Sequence, residues 1–537
     1  MTRGARPLLA AAAAVAAGLS IVVAQPPLGW WPTTFLAAPL LLLAVATETD
    51  LPEGTRPRAF RWGLLAGVAA YAPMLAWLVR PAGYLGWVLL VLIQAAFLGL
   101  LAVLLRPVVR TPWVVLAAPV LWAGMDAWRG VFPLGGFEWG SIAYAAVEGS
   151  WMLPLARLVG GRGITVLTVL VGALAFEAGR RVHAAVTAVP TGGSVEQLRD
   201  GLPAAQRPLV GLAVALLVSV LATIEPPATT GESLDVLVVQ GNDELDRTEL
   251  TAREVDRDIA ATMRELTVAA VDAGDTPDLT VWPESSVDRD AFGERGADLL
   301  PEVEVAAEAT DGNLLVGVNR DGDVEGTFLN SAVLVDAAGD PVDAYVKRQI
   351  VPFGEYVPFR AALGWFPPLR QIPRDAVRGE RAAGVTVDDV RVAVVICFET
   401  LFPDLVRQNV VADGEDAALV VSTTNDASFG RSAEPAQHLA QSRLRAVETG
   451  RWVVHAALSG ASAFVSPAGE VFDQTGVFEL TTIRRDVPLV AGRTPFLATG
   501  DVLGAAVRLA TAVWLLVLLA RAWRTRTRSP EPHPERP

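Results

Sequence analysis

Two residues of this chain are the only ones of their type: Cys397, in Val-Ile-Cys-Phe-Glu, and Lys347, in Tyr-Val-Lys-Arg. Of the 44 Lys and Arg residues, all but Lys347 are arginine. An ammonium is compact and has a tunable pKa, whereas a guanidinium is a planar fork that stays charged. A lysine retained in such a chain indicates a function that arginine does not provide. A lone thiol forms no internal disulfide and no two-cysteine metal site, so it is either core filler or a nucleophile.

Three carboxylates accompany this pair. Glu284, in Trp-Pro-Glu-Ser, is predicted just past a buried strand, where catalytic groups of α/β proteins tend to lie. Glu355 lies in Pro-Phe-Gly-Glu-Tyr-Val-Pro, and Glu399 is two residues after Cys397. Taken alone, each of these residues is usually structural. Taken together they suit acyl transfer, because a thiol needs a base and a developing oxyanion needs a cation or N–H donors.

Histidine offers a weaker alternative. Of the four histidines, His438 is predicted in the middle of a helix and His455 in a strand. A Cys–His dyad with either one stays open, although no motif surrounds them. No spacing of His, Cys and Asp indicates a metal site, so we expect neither a metal nor a cofactor.

The elements that hold these residues change character at residue 233. Short β-branched runs separated by turns are typical of strands, and helical patterns lie between them. This mixture predicts a layered α/β domain, with hairpins at the turns 336–340 and 466–470. The predicted strands are 234–239, 279–282, 313–318, 330–335, 390–396, 418–423 and 452–457, and the predicted helices are 250–273, 299–309, 402–412 and 433–449.

Apolar segments make up most of the remaining chain. Of the 537 residues, 52% are hydrophobic, and the mean hydropathy is +0.39. Residues 232–490 carry 45 Asp and Glu against 22 Lys and Arg, and the remainder carries 13 against 22. An acidic domain embedded in an apolar chain argues against a nucleic-acid partner. A membrane-crossing helix needs about 20 apolar residues, and we expect eight: 7–24, 33–47, 62–79, 84–105, 112–128, 163–179, 208–224 and 502–520.

Arginine distribution predicts the orientation of these spans, because cytoplasmic loops are enriched in positive charge. Arginines cluster in alternate loops and in both terminal segments. We therefore expect a multi-pass protein of the plasma (inner) membrane, with both termini cytoplasmic and the acidic domain extracytoplasmic. The expected domains are a membrane domain with seven spans (1–225), a catalytic domain (232–490), an eighth span (500–522) and an Arg/Pro-rich cytoplasmic tail (523–537).

The loop 129–162 is expected on the outer side. Its aromatic residues are typical of the bilayer interface, and we expect most of them only to anchor spans. Asp126 and Arg129 lie three apart on one helical face and predict an ion pair or a substrate contact. The loop aromatics are Phe132, Phe137, Trp139 and Trp151.

Four motifs together resemble the nitrilase (carbon–nitrogen hydrolase) superfamily, whose members carry a Glu–Lys–Cys triad. Within it, the chain resembles the bacterial apolipoprotein N-acyltransferases, which insert a nitrilase-like αββα sandwich before the last span of a multi-span membrane part. The resemblance covers essentially the whole chain except the C-terminal tail. The motifs are Trp-Pro-Glu (282–284), Tyr-Val-Lys (345–347), Pro-Phe-Gly-Glu-Tyr-Val-Pro (352–358) and Ile-Cys-Phe-Glu (396–399), and further matching stretches include 239–242, 330–331, 424–427, 437–438, 445–451 and 459–463.

The resemblance implies a ping-pong transfer of an acyl chain from a phospholipid, through a cysteine thioester, to the N-terminal amine of a diacylated lipoprotein. It also implies a polyprenol-phosphate mannosyltransferase as a neighbouring partner. The implied roles are general base for Glu284, nucleophile for Cys397, oxyanion stabilisation for Lys347, tuning of Lys347 for Glu355, and support of the site by Glu399 and by the backbone N–H of Phe398.

The apolar loop 363–369, shortly after Glu355, is either a hydrophobic lid that admits acyl chains or an ordinary packed loop. The chain also departs from the family pattern. The segment 243–250 has no tryptophan, Ser428 stands where the family often has tryptophan, and Phe398 stands where tyrosine is common.

Two other functions fit parts of the pattern. A membrane-tethered nitrilase-type amidase would use the same triad on a small substrate, but one anchor would suffice for it. A scaffold with an inactive nitrilase fold would not need the intact Glu–Lys–Cys set.

Overall fold

The computed structural model describes residues 5–48, 58–188, 207–208, 210–215, 225–243, 250–274, 276–365, 369–370 and 372–527. Its N-terminal part is helical. The helices are α1 (Ala5–Ala24), α2 (Thr34–Glu48), α3 (Arg58–Met74), α4 (Val79–Leu105), α5 (Val114–Arg129) and α6 (Ala156–Ala188), with a 3-10 helix at Ile142–Glu148.

Four helical stretches among the described residues are long and apolar enough to cross a membrane: Arg6–Ala24, Ala76–Leu105, Leu153–Ala188 and Val502–Arg524. The expectation of eight spans is therefore wrong. Helices α2, α3 and α5 have 15, 17 and 16 residues. At 1.5 Å per residue they reach about 23–26 Å, short of a hydrocarbon core of about 30 Å. The expected span 208–224 lies mostly outside the described residues.

The rest of the structure is an α/β domain followed by a last helix. Its strands are β1 (Thr229–Gln240), β2 (Leu279–Val287), β3 (Leu314–Asp321), β4 (Thr327–Val335), β5 (Pro341–Val346), β6 (Asp375–Ala376), β7 (Gly384–Val387), β8 (Val390–Ile396), β9 (Leu419–Thr424), β10 (Trp452–Ala457), β11 (Ala463–Val465), β12 (Val471–Phe472) and β13 (Thr481–Val490). Its helices are α7 (Ala252–Asp272), α8 (Leu300–Ala309), α9 (Arg360–Leu363), α10 (Pro403–Val410), α11 (Glu434–Thr449) and α12 (Pro495–Thr499), and α13 (Val502–Thr527) follows.

The strands form two sheets that pack face to face. One has the order β13-β1-β2-β3-β4-β5, with β6 paired to β4, and the other has the order β12-β11-β10-β9-β8-β7. Alternate apolar side chains of both sheets fill one shared core, including Val238, Val281, Val394 and Val421. The opposite faces pack on α7 and α8 in one case and on α10 and α11 in the other. The layers are thus αββα.

All seven predicted strands and all four predicted helices are present, and β8 has the predicted bounds. Both predicted hairpins are confirmed as the antiparallel pairs β4–β5 and β11–β12. Strand β13, which pairs with β1 at the edge of the first sheet, was not predicted. Its segment, Thr481–Val490, contains two arginines and an aspartate and shows little apolar alternation.

The helical part and the sandwich share an apolar core. Phe398, Leu401 and Leu444 of the sandwich pack in the same cluster as Trp122, Trp139 and Tyr144 of the helical part. Helix α11 therefore lies between the second sheet and the helical bundle. The predicted Asp126–Arg129 pair is confirmed at 3.3 Å, and Arg129 also donates to the carbonyl oxygen of Trp139 at 2.7 Å. This bond ties the end of α5 to the loop that faces the sandwich.

Candidate active site

Four polar side chains form a closed hydrogen-bonded ring between β2, β4 and the segment after β5. Lys347 Nζ lies 2.9 Å from Oε1 of Glu284 and 2.9 Å from Oε1 of Glu355. The Asn330 amide donates to the same two oxygen atoms, at 2.7 Å each. Lys347, Asn330 and Glu284 are buried, with exposed fractions of 1%, 4% and 6%. Two donors and two acceptors thus satisfy one another, and only Glu355, whose side chain is 15% exposed, reaches toward solvent.

Local backbone structure explains how these residues meet. Lys347 directly follows β5, and its N–H donates to the carbonyl oxygen of Asn330 on β4 at 2.9 Å, which continues the strand pairing. Glu284 was expected just past its strand, but it lies inside β2. The pairing of β2 with β3 is irregular between Trp282 and Val287, and Ser285 has a φ of +58°. This irregularity locally changes the direction of the strand at Glu284.

Lys347 is the cation of the ring. Burial alone lowers the pKa of an ammonium, but Glu284 and Glu355 outweigh burial and hold the pKa of Lys347 well above its usual range. The side chain is therefore charged at every physiological pH. A fixed positive charge in a water-excluded site is suited to stabilise a developing oxyanion.

Cys397 begins the 3-10 helix Cys397–Leu401 directly after β8, as predicted. It adopts a left-handed φ of +50°, a strained conformation for a residue with a side chain. Burial and the negative charge of Glu284 raise the pKa of the Cys397 thiol well above its usual range, against the lowering effect of Lys347. The resting side chain is thus a protonated thiol. It needs a base before it can attack, and the carboxylate of Glu284 is close enough to act on it electrostatically.

Glu399 connects the cysteine segment to the lysine segment. Its Oε1 accepts from the backbone N–H groups of Arg348 and Gln349 at 2.6 and 3.0 Å. Its Oε2 accepts from the N–H of Ile396 at 2.8 Å, and the Tyr345 hydroxyl lies 2.9 Å away. The side chain is fully buried. Glu399 therefore holds the residues next to Lys347 against the residue before Cys397.

Aromatic side chains of the helical part reach this site. Phe137 stacks on Phe398 with ring centroids 6.0 Å apart, and Trp139 lies 6.2 Å from the ring of His438. The Trp139 indole donates to Gln437 Oε1 at 2.6 Å. Phe137 and Trp139 were expected to anchor spans at the bilayer interface, but they pack on Phe398 and His438 in the α/β domain. A loop rich in aromatic residues suits contact with the bilayer interface and contact with another domain equally well. The sequence therefore cannot distinguish the two.

A second polar group lies beside Cys397. Cys397, Asp426 and His438 each place one donor atom within 4.8 Å of the others. Thiolate, carboxylate and imidazole are ligand types that bind zinc. Both ring nitrogens of His438, however, have protein hydrogen-bond partners, so the group is engaged within the fold. The sequence left a pairing of Cys397 with His438 open but gave no signal for Asp426, because the three residues lie on separate elements.

Asn330 was noticed only as part of a matching stretch, and no role was assigned to it. The available signal is its position at the start of a predicted strand, between two predicted catalytic motifs. Glu284, Lys347 and Glu355 are brought together as the motifs suggested, and the environment of Cys397 includes both Glu284 and Lys347.

An αββα sandwich with this ring next to a strained cysteine places the protein among the carbon–nitrogen hydrolases, and the family model described as carbon-nitrogen hydrolase matches residues 254–494. The family model for the apolipoprotein N-acyltransferase N-terminal domain matches residues 17–174. The chain belongs to the apolipoprotein N-acyltransferase family.

Two curated relatives show how much of the chain is shared. The apolipoprotein N-acyltransferase of Mycolicibacterium smegmatis is 30% identical over 92% of this chain and 82% of its own length. That of Geobacter metallireducens is 29% identical over 88% of each chain. Among solved structures, Saccharomyces cerevisiae Nit3, a nitrilase-superfamily member, aligns with 50% of this chain and 93% of its own at 15% identity. Its TM-score of 0.36 is too low to carry an argument.

Proposed function

We propose that the protein transfers a fatty acyl chain from a membrane phospholipid to the N-terminal amine of a lipoprotein's S-diacylglyceryl cysteine, through a thioester on Cys397. The observation that carries this proposal is the buried Lys347, which lies between Glu284 and Glu355. It is close to Cys397, which is the only cysteine of this chain, and the chain belongs to the N-acyltransferase family. That arrangement contains a nucleophile, a base and a fixed cation, which are the parts that acyl transfer needs.

In the first half-reaction, Glu284 removes the thiol proton and the thiolate attacks the ester carbonyl carbon. The Oε2 atom of Glu284 suits this step, because its hydrogen bond from the N–H of Asn425 is long, at 3.2 Å. Lys347 and the backbone N–H of Phe398 stabilise the oxyanion. The tetrahedral intermediate collapses to the thioester, and the lysophospholipid leaves with the proton from Glu284.

In the second half-reaction, the lipoprotein amine attacks the thioester carbonyl carbon and Glu284 accepts its proton. Lys347 again stabilises the oxyanion, and the thiolate leaves and regains a proton from Glu284. Glu355 keeps Lys347 charged and in place, while Glu399 fixes the backbone of both segments. An amidase would replace the amine by water, so the site must exclude water while the thioester waits.

The catalytic domain (232–490) is proposed to lie outside the cytoplasm, with both termini, including the tail 523–537, inside. The membrane domain (1–225) and the helix that covers 500–522 would hold it at the bilayer. The loop ends that touch the sandwich, at Pro26, Met74 and Trp139, are poor in arginine. The opposite helix ends carry arginine pairs, including Arg106 with Arg110 and Arg180 with Arg181. This asymmetry supports a cytoplasmic side away from the catalytic domain.

Large apolar side chains near Glu355 support a lipid substrate. Phe353, Phe359 and Trp365 are 45%, 75% and 72% exposed. Exposed aromatics that cluster at one edge of a site are typical of a surface that contacts lipid. We propose that this edge, which includes the described part of loop 363–369, admits the acyl chain. Residues 366–368 of that loop lie outside the described residues.

The proposal is tested by mass spectrometry of lipoprotein N-terminal peptides from cells that lack the protein and carry plasmid copies of it. The wild-type copy should restore the third acyl chain, and Cys397→Ser should not. Purified Cys397→Ser protein should also take up no label from a phospholipid with a radiolabelled sn-1 chain. Triacylated peptides from cells that express only Cys397→Ser would contradict the proposal. Release of free fatty acid by the wild type at the same rate with and without acceptor peptide would favour the hydrolase.

A further inference from the structure

A histidine and an aspartate lie buried directly behind the nucleophile. His438, on α11, is 1% exposed, and Asp426, just after β9, is 3% exposed. His438 Nδ1 lies 3.2 Å from Asp426 Oδ1. His438 Nε2 lies 3.1 Å from the carbonyl oxygen of Cys397. Neither side chain takes part in the proton transfers described above, yet one of them binds the backbone of the reacting residue.

The partners of His438 define where its hydrogens are. A carbonyl oxygen only accepts, so the Nε2 atom that faces Cys397 carries a hydrogen. The Asp426 carboxylate accepts from Nδ1 in the same way. The Thr400 hydroxyl lies 3.0 Å from Nε2, 3.0 Å from the Cys397 carbonyl oxygen and 3.1 Å from Gln441 Oε1, and its one hydrogen can go to only one of these two oxygens. With that hydrogen on Gln441, the Cys397 carbonyl accepts from His438 Nε2, and the ring pairs with the Asp426 carboxylate through Nδ1.

The groups around His438 and Asp426 fit this pairing. Burial raises the pKa of Asp426, but His438 outweighs burial and the net pKa lies below the usual range. Glu434 lies 3.8 Å from Nδ1, and burial raises its pKa well above the usual range, so it is neutral. His455, whose ring is 5.2 Å away, is also neutral because burial lowers its pKa to about 3. Trp139 covers the ring from the helical part.

The carbonyl that His438 binds belongs to the peptide unit between Cys397 and Phe398. A trans peptide unit is planar, and its C=O and N–H groups point in opposite directions. Drawing the Cys397 carbonyl toward His438 therefore turns the Phe398 N–H away from His438. Cys397 sits at a φ of +50°, a conformation that costs about 1–3 kcal/mol and persists only when its surroundings hold it.

We propose that His438, held by Asp426, is a positioning residue that fixes the Cys397–Phe398 peptide plane and so aims the Phe398 N–H at the oxyanion. The inference rests on the proposed function, because it needs Cys397 as the nucleophile. His438 and Thr400 both lie within hydrogen-bond distance of this carbonyl oxygen. Losing the His438 bond would leave Thr400 as the remaining side-chain restraint and would let the peptide rotate more freely. The oxyanion would then lose one donor, while the thiol itself would keep its neighbours Glu284 and Lys347.

Two matched substitutions test this role in the full-length protein in detergent. Glutamine places an amide nitrogen near the position of Nε2, whereas asparagine reaches only about as far as Nδ1. His438→Gln should therefore keep the bond to the Cys397 carbonyl, and His438→Asn should lose it. Loss of one oxyanion donor slows acyl transfer about 10²–10³-fold. We expect that loss in the rate of acyl-enzyme formation for His438→Asn, and a rate within about tenfold of wild type for His438→Gln.

Alkylation of Cys397 by iodoacetamide supplies a readout that forms no oxyanion, and both variants should react within about threefold of the wild-type rate. If acylation and alkylation fall together, or if asparagine is tolerated as well as glutamine, the proposal is overturned. Asp426→Asn is a second variant, should His438→Asn not fold. It should slow acylation about tenfold without slowing alkylation, because the Asp426 charge raises the pKa of the Cys397 thiol and its removal favours the thiolate. An unchanged acylation rate would contradict the proposal. If phospholipid still labels the Cys397→Ser variant, the proposed function itself is overturned. If Cys397→Ser is not labelled but His438→Asn is fully active, only the role of His438 is overturned.

Discussion

Glu284 and Glu355 share one ammonium: the Oε1 atom of each accepts a hydrogen bond from Lys347 Nζ at 2.9 Å. The Asn330 amide bridges the same two oxygens from the other side. Two carboxylates this close would repel each other without the shared cation. The ring therefore keeps two carboxylates and one cation in a compact arrangement.

Lys347→Arg tests whether the shape of the cation matters as well as its charge. A guanidinium is planar and larger than an ammonium, and the Lys347 side chain that it would replace is only 1% exposed. We expect acyl-enzyme formation to fall at least about 100-fold, measured with a radiolabelled phospholipid. The neighbouring Arg348→Lys is the control. Arg348 binds Asn409 and Gln408 away from the ring, so that variant should stay within about fivefold of wild type. An active Lys347→Arg enzyme would show that charge alone suffices.

Glu399→Gln tests the link between the lysine and cysteine segments. A glutamine nitrogen cannot accept the N–H groups that the carboxylate accepts, so at least one buried donor loses its partner. We expect the protein to be destabilised by about 3 kcal/mol, together with a lower rate of acylation. Tyr345→Phe removes only one donor to the same carboxylate and should cost about 1 kcal/mol. Thermal unfolding in detergent measures both, and equal melting temperatures for Glu399→Gln and wild type would refute the link.

Trp139→Phe tests the contact between the helical part and helix α11. The variant keeps an aromatic ring but removes the indole N–H that donates to Gln437 at 2.6 Å. We expect a loss of about 1–2 kcal/mol in stability and slower acylation, since Gln437 precedes His438. Trp77→Phe removes a longer bond, of 3.3 Å, to the same Gln437 oxygen. Its effect on melting temperature should be smaller, and the reverse order would contradict this account of the contact.

Glu448 predicts a specific dependence of stability on pH. Burial raises the pKa of Glu448 to about 7, from an ordinary 4.5, and its Oε1 accepts from the N–H of Gly161 at 2.7 Å. Between pH 4.5 and pH 7, Glu448 is protonated in the folded protein and ionised in the unfolded chain. The unfolded chain therefore binds fewer protons, and the free energy of unfolding falls as the pH rises over this range. Glu448→Gln lacks this titration. Its stability relative to wild type should increase over that window, by at most about 3 kcal/mol.

Melting temperatures of both proteins at pH 5 and pH 8 check the prediction for Glu448. Other buried acids, such as Asp288, titrate in both proteins and cancel in the comparison. A difference between variant and wild type that does not change with pH would show that Glu448 is ionised throughout.

The sequence predicts the strands and the residues of the candidate site to different degrees. Strand β8 had the predicted bounds because Val390–Ile396 is a pure β-branched and alanine run apart from one arginine. Cys397 and Lys347 were found by their rarity, and Glu284 by its Trp-Pro-Glu context. The geometry of Asn330, Asp426 and His438 was not predictable, because each acts through a residue far away in the chain.

The number of membrane spans was overestimated for a related reason. Apolar composition is the same for a helix that faces lipid across the whole bilayer and for a shorter helix packed among others. Helix α5 has 16 residues, 11 of them buried, and its length rather than its hydrophobicity separates it from a full span. Length depends on where the helix ends, and helix boundaries are poorly defined by sequence patterns.

Helix α11 touches both halves of the molecule. One side of it binds the Cys397 carbonyl through His438, and the other binds Trp139, Glu148 and Gly161 through Gln437, Arg443 and Glu448. A catalytic domain expressed alone, cut near 225 and 500, would therefore expose a face of polar side chains whose partners were left behind. The helix would be free to shift in the position that determines the shape of the active site. Attempts to obtain a soluble form of this enzyme should retain the loop 129–162 or rebuild that face, because aromatic side chains of the helical part pack on Phe398 and His438 beside the candidate site.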